Sequence, residues 1–170
     1  MSNRSLLFLL LLLLGVFLAV KFDLPTKVTI GVTNQIYGDE MRGIGGFRIL
    51  AEVPNPEVEK EGLTGESVRR ALAAALAKAG VKSLPDDLWQ KTPGRPSLSI
   101  SVQAVKQAGG IYQYTVTIEV VRSEAEGAAP GSERSKTIWS TNKIGEGDVS
   151  DIRKNIDEIT DVFLKARSGG

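Results

Sequence analysis

Hydrophobic and polar positions alternate with period two in several short stretches of the chain and recur at helical spacing in two others. In KVTIGVT, Val28, Ile30 and Val32 share a face, which predicts a first strand. FRILAEV, Phe47 to Val53, predicts a second, stopped by Pro54 and Pro56. SLSISVQAV sets Leu98, Ile100, Val102 and Ala104 against Ser99, Ser101 and Gln103. After the turn KQAGG, IYQYTVTIEVV runs back with Tyr112, Tyr114, Val116, Ile118 and Val120 opposed to Gln113, Thr115, Thr117 and Glu119. Strand, glycine turn and strand predict a hairpin, and KTIWSTNKI, beyond a polar loop, predicts a third strand of the same meander.

Helical spacing links Val68, Leu72, Ala75, Leu76 and Ala79, with Thr64 as N-cap, Gly80 at the C′ position and Val81 placed for the hydrophobic contact of such a cap. A second stripe joins Ile152, Ile156, Ile159, Phe163 and Ala166 behind a cap at Ser150 or Asp148. The predicted order is β-β-α-β-β-β-α. Hairpins rather than alternating βα units predict an α+β fold: an antiparallel sheet of about four or five strands with two helices on one face. In that arrangement Tyr112 and Tyr114 belong to the core with their hydroxyls at an edge, and Trp89, near Pro85 and Pro93, plugs the core's end.

The amino-terminal pattern is neither of these. Leu6 to Val20 is an apolar run of 15 residues, extended by Phe22 if Lys21 turns its ammonium toward the headgroups. Its length suits both a cleaved signal and a short membrane span. Cleavage needs small residues three before and one before the cut, and around Ala19 the second is missing. The expectation is therefore a single transmembrane anchor over residues 1–22, with Leu6, Leu10, Leu13, Phe17 and Val20 in lipid. A linker at 23–27, a domain at 28–167 and a tail at 168–170 follow. Arg4 with the α-amine against Lys21 and Lys27 nearly balances the flanking charge; the basic start favours a cytoplasmic amino terminus and an exported domain.

Composition narrows the chemistry. Lysine and arginine number 21 against 20 aspartates and glutamates, so no field steers nucleic acid, and no nucleic-acid partner is expected. The chain has no cysteine, hence no disulfide, thiolate nucleophile or lipid-bearing cysteine, and no histidine, hence no imidazole base or metal ligand. Asp39 with Glu40, Asp86 with Asp87, and Asp148 with Asp151 do not match a calcium loop; Gly43 to Gly46 lack phosphate-loop spacing. No catalytic, cofactor or metal site is expected, and the protein reads as a non-enzyme.

The segments TPGRPSLSISVQAV, GGIYQYTVTIEV, TIWSTNKIG and DIRKNIDEITDVFLKA resemble, over roughly Leu50 to Ala166, a family of small exported bacterial proteins without an assigned function. The layout is also similar to the envelope domains of lipopolysaccharide-assembly lipoproteins and to the TolB amino-terminal domain, although the lipid-bearing cysteine of those lipoproteins is absent. The resemblance implies no catalytic residues. Together with the apolar run and its basic start, the expectation is a place in the bacterial inner membrane, single-pass, with the carboxy-terminal domain in the periplasm.

If Ile138 points inward, alternation sends Trp139 to the opposite sheet face, beside Ser99, Ser101, Gln103, Thr115 and Thr117. A hydroxyl-rich face with an aromatic on it fits a docking surface. Two roles follow as expectations. One is an accessory subunit that binds membrane lipid through its anchor and an integral membrane or envelope protein complex through its domain. The other is a carrier or assembly factor for lipid or another amphiphile, which requires an apolar cavity between sheet and helices.

Overall fold

A computed structural model of the chain describes residues 30–32, 38–125 and 133–169. Its strands are β1 (Ile30–Val32), β2 (Gly46–Glu52), β3 (Lys82–Ser83), β4 (Ser97–Lys106), β5 (Tyr112–Ala125) and β6 (Glu133–Gly147). Its helices are α1 (Pro56–Lys60), α2 (Gly65–Lys78), α3 (Asp86–Lys91) and α4 (Val149–Ser168), and a 3-10 turn covers Gly38–Met41. The fold is α+β. Among the described residues no helix is long and apolar enough to cross a membrane. The predicted anchor, with Leu6, Leu10, Leu13, Phe17 and Val20, lies outside the described residues.

Strand order is β1-β6-β5-β4-β2-β3. β4, β5 and β6 form the expected antiparallel meander. β2, however, lies parallel to β4, and β3 adds a parallel pairing of only two residues, so the continuous five-strand sheet is mixed rather than antiparallel. The reason is the stretch from Val53 to Pro96, which holds three helices and carries the chain back to the end of the sheet at which β2 began.

Of those helices, α1 is not predicted by the pattern, and α3 falls where LPDDLWQKTPGRP reads as a turn or one short helical turn. They have five and six residues, too few for a 3.6-residue period to show. In α1 the Asn55 side chain accepts from the Glu57 and Val58 amides and Pro56 stands in the first turn, so capping substitutes for length. α2 begins at Thr64, whose hydroxyl accepts from the Ser67 amide at 3.1 Å while the Ser67 hydroxyl accepts from the Thr64 amide at 3.0 Å. It ends as the glycine implied: Gly80 takes φ +70°, and the Val81 and Gly80 amides donate to Leu76 and Ala77 carbonyls at 2.9 and 3.1 Å. α4 is capped by Asp148, which pairs reciprocally with Asp151.

α2 packs on β2 and α4 on β5 and β6, all on one face. Beneath them Phe47, Leu98, Ile100, Val102, Tyr112, Val116, Ile118, Val120, Trp139 and Phe163 have no exposed surface. Phe163 of α4 meets Phe47 and Trp139 edge-on, at centroid distances of 5.7 and 5.4 Å. Tyr114 lies opposite Gly145, where a Cβ would come within 2.6 Å of the ring; glycine makes room for the aromatic. The Tyr114 hydroxyl accepts from the Asn155 side-chain amide, and the Tyr112 hydroxyl donates to Glu61 Oε1 at 2.7 Å. Both rings sit in the core as expected, but the Tyr114 hydroxyl lies inside against α4 rather than at an edge.

Candidate interaction surface

Among the described residues no long helix covers the opposite face of the sheet, and strand register arranges its side chains in rows. Leu50 of β2, Ser99 of β4, Glu119 of β5 and Ser140 of β6 form one row. Glu52, Ser101, Thr117 and Asn142 form the next, then Gln103, Thr115 and Ile144, then Val105, Gln113 and Glu146. Direct neighbours across the ladder thus include Ser101 with Thr117 and Gln103 with Thr115. The structure brings Ser99, Ser101, Gln103, Thr115 and Thr117 together on one surface.

Trp139 is not on it. A β-bulge interrupts the β5–β6 ladder: Val120 faces Trp139 and Val121 faces Thr137, so Ile138 is an extra residue without a partner. Alternation fails at that point, and both Ile138 and Trp139 are buried. Trp139 shares the helix-covered face with Val120 and packs on Phe163. The bulge also turns Lys136 to the same side as Arg122, where it pairs with Glu40 at 3.2 Å and Glu124 at 3.5 Å. Those carboxylates hold the Lys136 ammonium above its ordinary range.

The aromatic near the open face is Trp89. Instead of plugging the core it lies half-buried on α3, with the guanidinium of Arg48 4.7 Å and that of Arg95 5.7 Å from its ring centroid. Arg48 Nε also meets Asp86 at 2.9 Å, which fixes α3 against the row of Arg48, Ser97 and Val121. The sequence held part of this signal, since Arg48, Leu50 and Glu52 alternate against Phe47, Ile49 and Ala51 in β2.

Apolar exposure is concentrated on this face. Of the five large aliphatic side chains that stand exposed among the described residues, Leu50 at 38 %, Val105 at 64 % and Ile144 at 37 % occupy its rows, leaving Leu88 and Val162 elsewhere. Polar capacity is left open beside them: Asn142 Oδ1 is buried with no hydrogen-bond partner among the described residues, and the Ser140–Glu119 contact is long, at 3.4 Å. An unanswered buried acceptor costs free energy that an incoming donor relieves.

At the rim, Lys106 is held above its usual range by Glu57 and then Tyr112, and the Tyr112 phenol is pushed up first by its hydrogen bond to Glu61 and then by burial. On the helix side, Lys143 contacts Glu158 of α4; burial, then the charge of Lys154, hold its ammonium below its usual range. Among the described residues no three acidic side chains are grouped to hold a metal ion. The open face can offer hydrogen bonds and apolar contact.

No protein-family model matches this chain, and neither a curated protein nor a solved structure similar to it was found.

Proposed function

We propose that the protein is a membrane-anchored, non-enzymatic interaction module, an accessory subunit that docks on a larger integral membrane or envelope complex through the open face of its sheet. The observation that carries the reading is that Leu50, Val105 and Ile144 stand exposed among short hydroxyl side chains on the sheet face that no long helix of the described residues covers. Exposed aliphatic groups gain by leaving water, and serine and threonine lose little rotamer freedom when a partner orders them. The leucine run at Leu6 to Val20 supports a tether in the bacterial inner membrane, with the domain in the periplasm.

The reading is tested on the full chain taken from its native membrane in mild detergent. Wild type carries a partner protein with it. Thr117→Arg, which plants a long cation in the middle of the open face, loses that partner while retaining the wild-type circular dichroism spectrum. A folded Thr117→Arg that keeps its partner, or a wild type that brings down no other protein, overturns the proposal.

A further inference from the structure

The groove between α2 and α4, on the side of the helices away from the sheet, encloses a volume of about 550 Å³. Ala71, Ala75 and Ala79, spaced four residues apart, line its α2 wall, and Ile156 and Leu164 line the α4 wall. Alanines on a helix surface let another helix come close to the backbone. Thr160 on the α4 wall spends its hydroxyl on the Ile156 carbonyl, at 2.8 Å, so it offers the groove little polarity.

The groove's charges indicate what it accepts. Lys78 stands on the α2 wall, and Asp157 and Asp161 stand on the α4 wall. None of the three has an ion-pair partner among the described residues, whereas the acidic residue of α2, Glu66, is engaged by Arg69 at 2.9 Å and Arg70 at 3.7 Å. An occupant that satisfies the groove must bring an anion to Lys78 and a cation to the aspartates. The leucine run of this chain brings neither. A second copy brings both, because a two-fold axis running along the groove lays each α2 wall on the other copy's α4 wall, setting Lys78 against Asp157 and Asp161 twice.

We propose that two copies of the chain pair through this groove, alanine-lined helix on apolar helix, with the Lys78 to Asp157 and Asp161 contacts fixing the register. The surface is separate from the open sheet face, so dimerisation and partner docking can proceed together.

The test measures the mass of the full chain in detergent across a range of concentrations. Wild type associates to a dimer. Lys78→Glu alone, and Asp157→Lys with Asp161→Lys alone, each turn two sets of attractive contacts repulsive and raise the dimer dissociation constant at least about tenfold. Mixing the two variants restores association, since one copy's glutamate then meets the other's lysines while the remaining contact is native. The absence of native cysteine permits a second measurement. Under mild oxidation, Lys78→Cys mixed with Asp161→Cys gives a covalent dimer, and neither does so alone at comparable yield. A wild type that stays monomeric, or a mixture of folded charge variants that does not reassociate, overturns the proposal. If a charge variant fails to fold, the cysteine pair decides: no preferential cross-link between positions 78 and 161 overturns it. A monomer in which Ala75→Cys is shielded from a water-soluble thiol reagent until residues 6–20 are deleted also overturns it, assigning the groove to the chain's own leucine segment.

Discussion

Neighbouring residues of β4 face opposite chemistry. Leu98, Ile100 and Val102 have no exposed surface beneath the helices, whereas Ser99 and Ser101 are half-buried and Gln103 is exposed on the other side of the same backbone. The covered face gains from packing: three aromatic rings from β2, β6 and α4 interlock, and Gly145 yields space to Tyr114. Among the described residues the open face gains little and keeps both apolar atoms and a buried acceptor unanswered. Stability is therefore assigned to the covered face and, in the proposed function, recognition to the open one, and substitutions should separate them.

The sharpest break comes from Phe163, which touches both Phe47 and Trp139. Phe163→Ala is expected to destabilise the fold by about 3–5 kcal/mol, measured as a fall in the urea midpoint. Next is the polar contact inside the covered face, where Asn155→Ala removes the amide that donates to the Tyr114 hydroxyl. The expected loss is about 1–3 kcal/mol, and a double-mutant cycle with Tyr114→Phe should show that the two effects are not additive. Asp148→Ala, which strips the cap of α4, should cost about 1 kcal/mol in the same unfolding assay.

On the open face the same assay should register almost nothing. Thr117→Ala is expected to stay within about 0.5 kcal/mol of wild type, and a larger loss would show that this face carries stability after all. The smallest effect belongs to alkaline pH. Because the Tyr112 phenol is raised above its ordinary value of about 10, the folded state holds this proton longer than the unfolded chain does. The stabilisation is whole below about pH 10 and is lost as pH climbs through the raised folded-state value. Glu61→Gln removes the main cause, so one phenol should titrate earlier in a phenolate absorbance measurement.

Much of this comparison was legible in the sequence. Period-two alternation over 98–104 and 112–120 assigned each residue to a face, because it needs only the backbone's own geometry. The caps of α2 and α4 were legible for the same reason, since Thr64, Gly80 and Asp148 act on amides and carbonyls within a turn of themselves. The short helix α1 was not, and α3 only as a turn or one short helical turn, as five or six residues give period no room to declare itself. Trp139 was placed on the wrong face because alternation was carried through Ile138, and a bulge exists only between two strands.

What the amino-acid order determined alone is local: which longer stretches are strands, where α2 begins and ends, and which side chains on β4 and β5 are apolar together. Pairing between distant segments decided the rest. The crossover from Val53 to Pro96 made β2 parallel to β4, the unpaired Ile138 drew Trp139 into the core, and the position of α3 set Trp89 beneath Arg48 and Arg95. Each of these depends on contacts between residues far apart in the chain, and their free energies appear only once the sheet has closed.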